Sequence, residues 1–341
     1  MKKYFIFIFI VLLSNSAFCQ SFFDTDFYEI NFISNNVDND KQKKIKEIKF
    51  KSIKKIFNNI LIKDDYDTFN RNLNEDLINS FIKNIIFEDE KIINNNYYSK
   101  IKINFDVKKI IQYLRNNKLP YVEYYPNNFL LIIFENKKLT KNLFSKKNSY
   151  YKYLINNNLY LDFFNLPNFD VNDKYLLNFS DIEDLNLNKI NKFMNKYSNS
   201  NAVIVTSNQT DDKIKYTSYI YSRNNLTYLG DFYQDTYDYE LFFKKLKNDV
   251  LSQWKIENSM QNITLNNFLC EINYYNLLEL KQIRLNISNV SLIDELKLKK
   301  ISYQSNIYEI SYYGDKRYLP KLFTMNNLEI QLNDKCKILL K

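Results

Sequence analysis

The chain has 341 residues, no His, 2 Gly and a formal charge of +9 carried almost wholly by Lys. Without His there is no Ser-His-Asp or Cys-His catalytic pair and no imidazole ligand for zinc. Two glycines, Gly230 and Gly314, are too few for a phosphate-cradling loop. Lys is scattered and only five Arg occur (Arg71, Arg115, Arg223, Arg284 and Arg317), which argues against nucleic acid as a partner. Lys, Asn, Ile, Tyr and Phe are the residues of A/T-rich codons, so the basic balance is discounted as a functional signal.

Residues 1–19 have the layout of a secretory signal peptide. Lys2-Lys3 is the basic start, Tyr4–Leu13 is an apolar run too short to span a bilayer, and Ala17 and Cys19 are the small residues before cleavage at Gln20. Acylation of Cys19 is the rival reading, and Phe18 before it argues against that. A mature chain lacking Lys2 and Lys3 carries +7. The expected location is the periplasm or beyond.

Phe27–Ile33 alternates as a strand. Residues 36–62 place Ile45, Ile48, Ile53, Ile56, Phe57, Ile60 and Leu61 at helical spacing with Lys opposite. This is a core-packing helix in the plainer reading; its basic face leaves peripheral membrane contact open. Asp64–Asp67 is expected as a loop and Leu77–Ile85 as a short helix. Ile86–Asn94 and Tyr97–Phe105 form a hairpin across an Asn run. Asp106 caps a helix whose inward face is Val107, Ile110, Ile111 and Leu114, and Pro120 stops it. Phe129–Phe134 is a continuous apolar run bounded by polar pairs, the pattern of a central strand.

Tyr150–Leu154 is expected as a helix and Tyr160–Phe164 as a short strand. One helix, capped by Ser180, is expected over Asp181–Tyr197. Asn201–Thr206 is a buried strand, followed by strands at Lys213–Ser222 and Leu226–Gly230 and a helix over Asp238–Trp254. The last segment repeats the first: a strand at Phe268–Tyr274, a helix at Leu277–Leu285, strands at Leu296–Gln304 and Tyr308–Tyr313, a helix at Lys316–Phe323, and closing strands at Leu328–Leu332 and Ile338–Leu340. The expected class is α+β, with ferredoxin-like βαββαβ units at both ends (20–136 and 263–341) and an α/β segment between them (137–262).

The order of KINFDVKKIIQYLRNNKLPYVE, YPNNFLLIIF, LPNFDVND, DIEDLN, MNKYSNSNAVIV, SQWK and YYGD resembles the domain-of-unknown-function family twenty-sixty-six, secreted proteins of Gram-negative proteobacteria. Phe105-Asp106, Trp254-Lys255 and Tyr313-Gly314-Asp315 carry the resemblance; Tyr125-Pro126 keeps the family's Pro and lacks its Arg. The resemblance implies an envelope location and an architecture, and no chemistry. Asp106, Pro126, Trp254 and Gly314 are expected to have structural roles.

The acidic clusters are the candidates for chemistry. Glu88-Asp89-Glu90 alternates along a strand, so Glu88 and Glu90 are expected to share one face. Asp181, Glu183 and Asp184 open a helix, and Asp231, Asp235, Asp238 and Glu240 flank another. Paired carboxylates serve glycan hydrolysis or hold a cation; capping and solvation are the plainer roles. Trp254 and the tyrosines at 150, 151, 153, 233, 237 and 239 are sugar-stacking candidates or core. Cys270 and Cys336 are the two mature thiols, either bridged or buried and free. No catalytic residue, metal site or cofactor is expected. The leading expectation is a non-catalytic binding or assembly factor with an envelope protein partner; the alternative is a metal- or carboxylate-dependent hydrolase of envelope glycans.

Overall fold

The structure is a computed structural model that describes residues 22–135, 144–170, 172–197, 201–209, 212–260, 264–332 and 336–341. The signal-peptide reading of 1–19, and Cys19 with it, lies outside the described residues, as do the expected junctions at 136/137 and 262/263. The class is α+β, with three sheets among the described residues. The chain divides into two compact units, one ending at Tyr125 and resuming at Asn258, the other Pro126–Glu257.

In the first unit, β1 (Tyr28–Ile33) leads into α1 (Val37–Ile60). The Asn36 side chain accepts from the Asn39 N–H and caps α1, which buries Ile45, Ile48, Ile53, Ile56, Phe57 and Ile60. Asp64–Asp67 belongs to helix α2 (Lys63–Asn72) rather than a loop, because Asp64 and Asp65 sit in its first turn, where carboxylates favour the dipole. Helix α3 (Glu75–Phe81) ends where the β-branched run begins, and Ile82 already opens β2 (Ile82–Ile93). Strand β3 (Asn96–Phe105) turns every second residue inward: Tyr97, Ser99, Ile101, Ile103 and Phe105. Asn94 and Asn95 both take positive φ in the tight turn before it. Asp106 caps α4 (Val107–Asn116) through the Lys108 and Lys109 N–H groups. The sheet order is β1-β3-β2, all antiparallel.

Phe129–Phe134, expected as the fourth strand of this sheet, lies in the other unit as β4 (Phe129–Glu135). The N-terminal segment therefore carries the first three strands of a ferredoxin-like sheet, with no fourth among the described residues. The C-terminal segment has the same three, β9 (Leu265–Asn273), β10 (Ile293–Ser302) and β11 (Ser305–Tyr313), with α10 (Leu277–Asn289) crossing between β9 and β10. There the sheet is completed by β12 (Leu328–Leu332), after helix α11 (Leu319–Met325), and by β13 (Cys336–Leu340). The order is β10-β11-β9-β13-β12, and β13 runs parallel to β9.

The repeat extends to single bonds. The Ser34 N–H donates to Asn95 C=O at 3.0 Å, and the Tyr274 N–H to Gln304 C=O at 3.1 Å. Ile33 lies opposite Asn96, and Asn273 opposite Ser305. Asn36 and Asn276, each two residues past the donor, cap the crossing helices.

In the second unit the sheet order is β5-β4-β6-β7-β8. The two-residue β5 (Phe164–Asn165) and β6 (Asn201–Gln209) flank β4 in parallel; β7 (Ile214–Ser222) and β8 (Asn225–Gln234) continue antiparallel. Both faces of β4 are covered, which explains its unbroken apolar run. The helix expected over Asp181–Tyr197 is two helices, α7 (Phe179–Glu183) and α8 (Leu187–Lys196), broken at Leu185 with φ 49°. Asn178, not Ser180, caps the first, in a capping box with Asp181. Short α6 (Asp173–Leu176) precedes them, and α9 (Tyr239–Asn258) follows β8.

Beyond Leu130, β4 has no strand on its β5 side among the described residues. Side chains of α5 (Ser149–Asn157) and its cap replace one. The Tyr151 hydroxyl accepts from the Ile133 N–H at 2.9 Å and donates to Leu131 C=O, while Asn148 Nδ2 donates to Ile133 C=O. Burial holds the Tyr151 phenol well above its usual range, so it stays a donor. Tyr151→Phe strands a buried N–H and a buried C=O. The expected cost is about 1–3 kcal/mol in urea unfolding of this unit, and a loss below a few tenths would show that the hydroxyl is not the partner.

Candidate functional site

Helix α4 buries Ile110, Ile111 and Leu114 and leaves Lys108, Gln112, Arg115 and Asn116 on its other side. These side chains form one wall of a cleft of about 460 Å³. The turn from α10 into β10 forms the other, through Val290, Ser291, Ile293 and Asp294, and Tyr313 at the end of β11 completes it. The Tyr313 N–H donates to Leu292 C=O at 2.9 Å, which fixes that strand end against the turn.

Arg115 joins the walls. Its guanidinium lies 4.0 Å over the Tyr313 ring, and Nη2 donates to Ser291 C=O at 2.8 Å. Its Nε is buried and has no hydrogen-bond partner among the described residues. The Ser291 hydroxyl donates to Glu123, which is 5% exposed. Burial pushes the Glu123 carboxyl up to about 7; the Ser291 and Tyr121 hydroxyls and the Arg115 charge pull the other way. The segment carrying Glu123 is held by the Val122 N–H to Ile60 C=O and the Met260 N–H to Tyr121 C=O bonds. The cleft thus offers two cations, one carboxylate and side-chain amides, chemistry suited to a small polar or zwitterionic group. Glu123 is not on its wall, so the cleft does not present a carboxylate pair.

The acidic candidates do not converge. Glu88 lies opposite Lys100, and the ladder resumes at Lys91 opposite Tyr98, so a bulge interrupts the strand at Asp89, where φ is 54°. It turns Glu90 to the helix-covered face, where it accepts from Lys41 Nζ and the Tyr97 hydroxyl, each at 2.6 Å. Glu88 stays on the Lys100 face, so the two do not share one. Asp181 is used in its capping box. Asp231 pairs with Lys215 at 2.8 Å, Asp235 lies 3.8 Å from Lys213, and Asp238 accepts from the Leu241 N–H. No three His, Cys, Asp or Glu groups among the described residues are placed to hold a metal ion.

The tyrosine candidates divide. Tyr150 and Tyr151 are fully buried, and Tyr150 shares hydrogen bonds with Ser207 and Tyr216. Tyr153 stacks on Tyr239, while Tyr233 and Tyr237 are exposed. Trp254 is buried in α9. Gly314 takes φ 82° at the strand end, bonds Thr264 C=O through its N–H and accepts from Asn266 Nδ2. Pro126 begins the second unit. Two motifs that lie apart in the sequence meet: Lys196 pairs with Asp170 and Asp173, and the Tyr197 hydroxyl donates to the buried Asp173.

A disulfide joins Cys270 and Cys336, which stand directly opposite in the β9–β13 pairing with Cα atoms 4.6 Å apart. Sequence reasoning did not single out Arg115, Glu123, Ser291 or Tyr313 as a site. The available signals were the rarity of Arg and a lone Glu inside LPYVEYYP. No family model matches the chain, and no curated protein or solved structure matches it.

Proposed function

We propose that this chain is a non-catalytic binding or assembly factor of the bacterial cell envelope that takes an extended segment of a protein partner along the outer edge of β1. The signal-peptide pattern read in residues 1–19 supports the envelope location. The observation that carries the binding mode is the lack of a fourth strand among the described residues of this sheet. In the C-terminal sheet β13 lies along β9 at Cys270–Ile272. The corresponding stretch of β1, Ile30–Phe32, has β3 on one side and no strand on the other among the described residues.

The Ser34 N–H points to β3. Backbone alternation therefore aims the N–H and C=O groups of Glu29, Asn31 and Ile33 at the open edge. All three residues are exposed. Main-chain bonds along such an edge supply affinity, and pockets for alternate side chains supply specificity.

Asn31→Pro removes one outward N–H and spares the inner ladder. A photo-reactive residue at Glu29, activated in cells, is expected to trap one defined envelope protein. Asn31→Pro is expected to abolish that adduct with thermal stability unchanged. No adduct, or an adduct indifferent to the proline, would overturn the reading.

A further inference from the structure

The end of the C-terminal sheet where β9 enters α10 and β10 turns into β11 is covered by large apolar side chains in open solvent. Tyr275 is 84% exposed, Leu277 75%, Leu278 80%, Ile301 71% and Tyr303 90%. They belong to one place. The Tyr274 N–H to Gln304 C=O bond ties the helix entry to the turn, and Ile301 and Asn306 are paired at the turn's base. Isolated exposed apolar residues are ordinary, whereas five together mark a contact surface.

The patch is made of a hairpin turn and the first turn of a helix. Tyr275 and Tyr303 each carry an apolar ring and a polar tip, the pairing suited to the boundary between acyl chains and headgroups. Behind the tip, Lys297 and Lys300 on β10 and Lys281 on α10 are exposed. Of the nearby carboxylates, Glu271 accepts from Ser305, Glu279 from the Tyr275 N–H, and Glu309 pairs with Lys299. The lysines that remain complement an anionic surface.

The N-terminal repeat has the same character at the matching end. Ile33 is 80% exposed, Ile92 62% and Ile93 64%, beside the Ser34–Asn95 bond that corresponds to Tyr274–Gln304. The basic amphipathic helix α1, whose sequence leaves membrane contact open, instead spends its apolar face on the core.

We infer that the tip formed by Tyr275, Leu277, Leu278, Ile301 and Tyr303 inserts into the headgroup region of an anionic lipid bilayer, with Lys281, Lys297 and Lys300 against the headgroups. A highly exposed apolar turn with lysines beside it is the chemistry of shallow, reversible membrane docking.

The test uses protein purified from the envelope fraction of producing cells and vesicles of phosphatidylcholine with or without phosphatidylglycerol. Co-sedimentation is expected with the anionic vesicles and to fall at least tenfold for the double variant Leu277→Ser, Leu278→Ser, whose positions are exposed and whose circular dichroism stays native. Tyr303→Trp is expected to shift its emission to the blue on those vesicles and to be quenched by lipids brominated near the headgroup. Binding unchanged in the double variant, or no blue shift, would overturn the inference. So would vesicle binding that is absent while the protein self-associates through the same leucines, an outcome that assigns the patch to a second copy of the chain.

Discussion

Replacing Cys270 and Cys336 together by Ala is expected to remove about 4 kcal/mol from the stability of the first unit. The bridge closes a loop across a sequence separation of 66, and the chain-entropy model gives about that figure for a loop of such length. The native strands have little to replace it. β13 meets β9 over three residues only, Cys336–Ile338 against Cys270–Ile272, and its other neighbour is β12. Without the bridge, β12 and β13 are a hairpin held to β9 by a short parallel ladder. Urea unfolding of the double variant beside the parent, with and without reductant, measures the loss. Hydrogen exchange is expected to quicken first at β12, β13 and the facing edge of β9, with β4 and β6 of the second unit as an internal control. A loss under about 1 kcal/mol, well short of the loop-entropy figure, or equal sensitivity of the parent and the variant to reductant, would sink the account.

Local chemistry in the sequence translated well into local structure. Asp106 lies where a short acceptor meets an apolar helical face, and it caps α4. The Asn94-Asn95 turn follows from two residues that tolerate positive φ. What failed was pairing across distance. Phe129–Phe134 was legible as a central strand because both its faces are apolar, but the choice of sheet depends on β6, far along the chain, and no local residue encodes a parallel partner. The bulge at Asp89 has no glycine to announce it, so Glu88 and Glu90 could not be placed on opposite faces in advance. The polar run at Asp64–Asp67 hid α2 because it buries little besides Phe69. The cleft was illegible for the same reason as the sheet. Ser291 reaches Glu123 across 168 positions and Arg115 across 176, and neither contact leaves a periodic trace.

Glu123→Gln is expected to stabilise the protein at pH 8 and to make its stability nearly independent of pH between about 5 and 8. The carboxyl is buried, and burial raises it from 4.5 to about 7. An acid raised in the folded state contributes most at pH below its unfolded value. That contribution is lost as pH rises toward the folded value, because the unfolded chain gains by ionising in water while burial keeps the folded carboxyl protonated. The rise corresponds to roughly 3 kcal/mol lost between about pH 4.5 and 8, since each tenfold change in proton affinity is worth about 1.4 kcal/mol. Gln keeps the shape and an oxygen that accepts from the Ser291 hydroxyl, and it carries no charge to bury. The parent should therefore weaken through this window while the variant stays level. Urea unfolding at half-unit pH steps measures both curves. The Arg115 guanidinium, paired to Ser291 C=O and stacked on Tyr313, sits close enough to lower the Glu123 value. Arg115→Met should then push the carboxyl higher, so that the fall still begins near the unfolded value and continues to higher pH, whereas loss of packing alone would lower the whole curve without changing where the fall ends. Parallel curves for parent and Gln variant would show that Glu123 is ionised and paired throughout, and that Ser291 is held from behind the cleft by a carboxylate rather than a carboxylic acid.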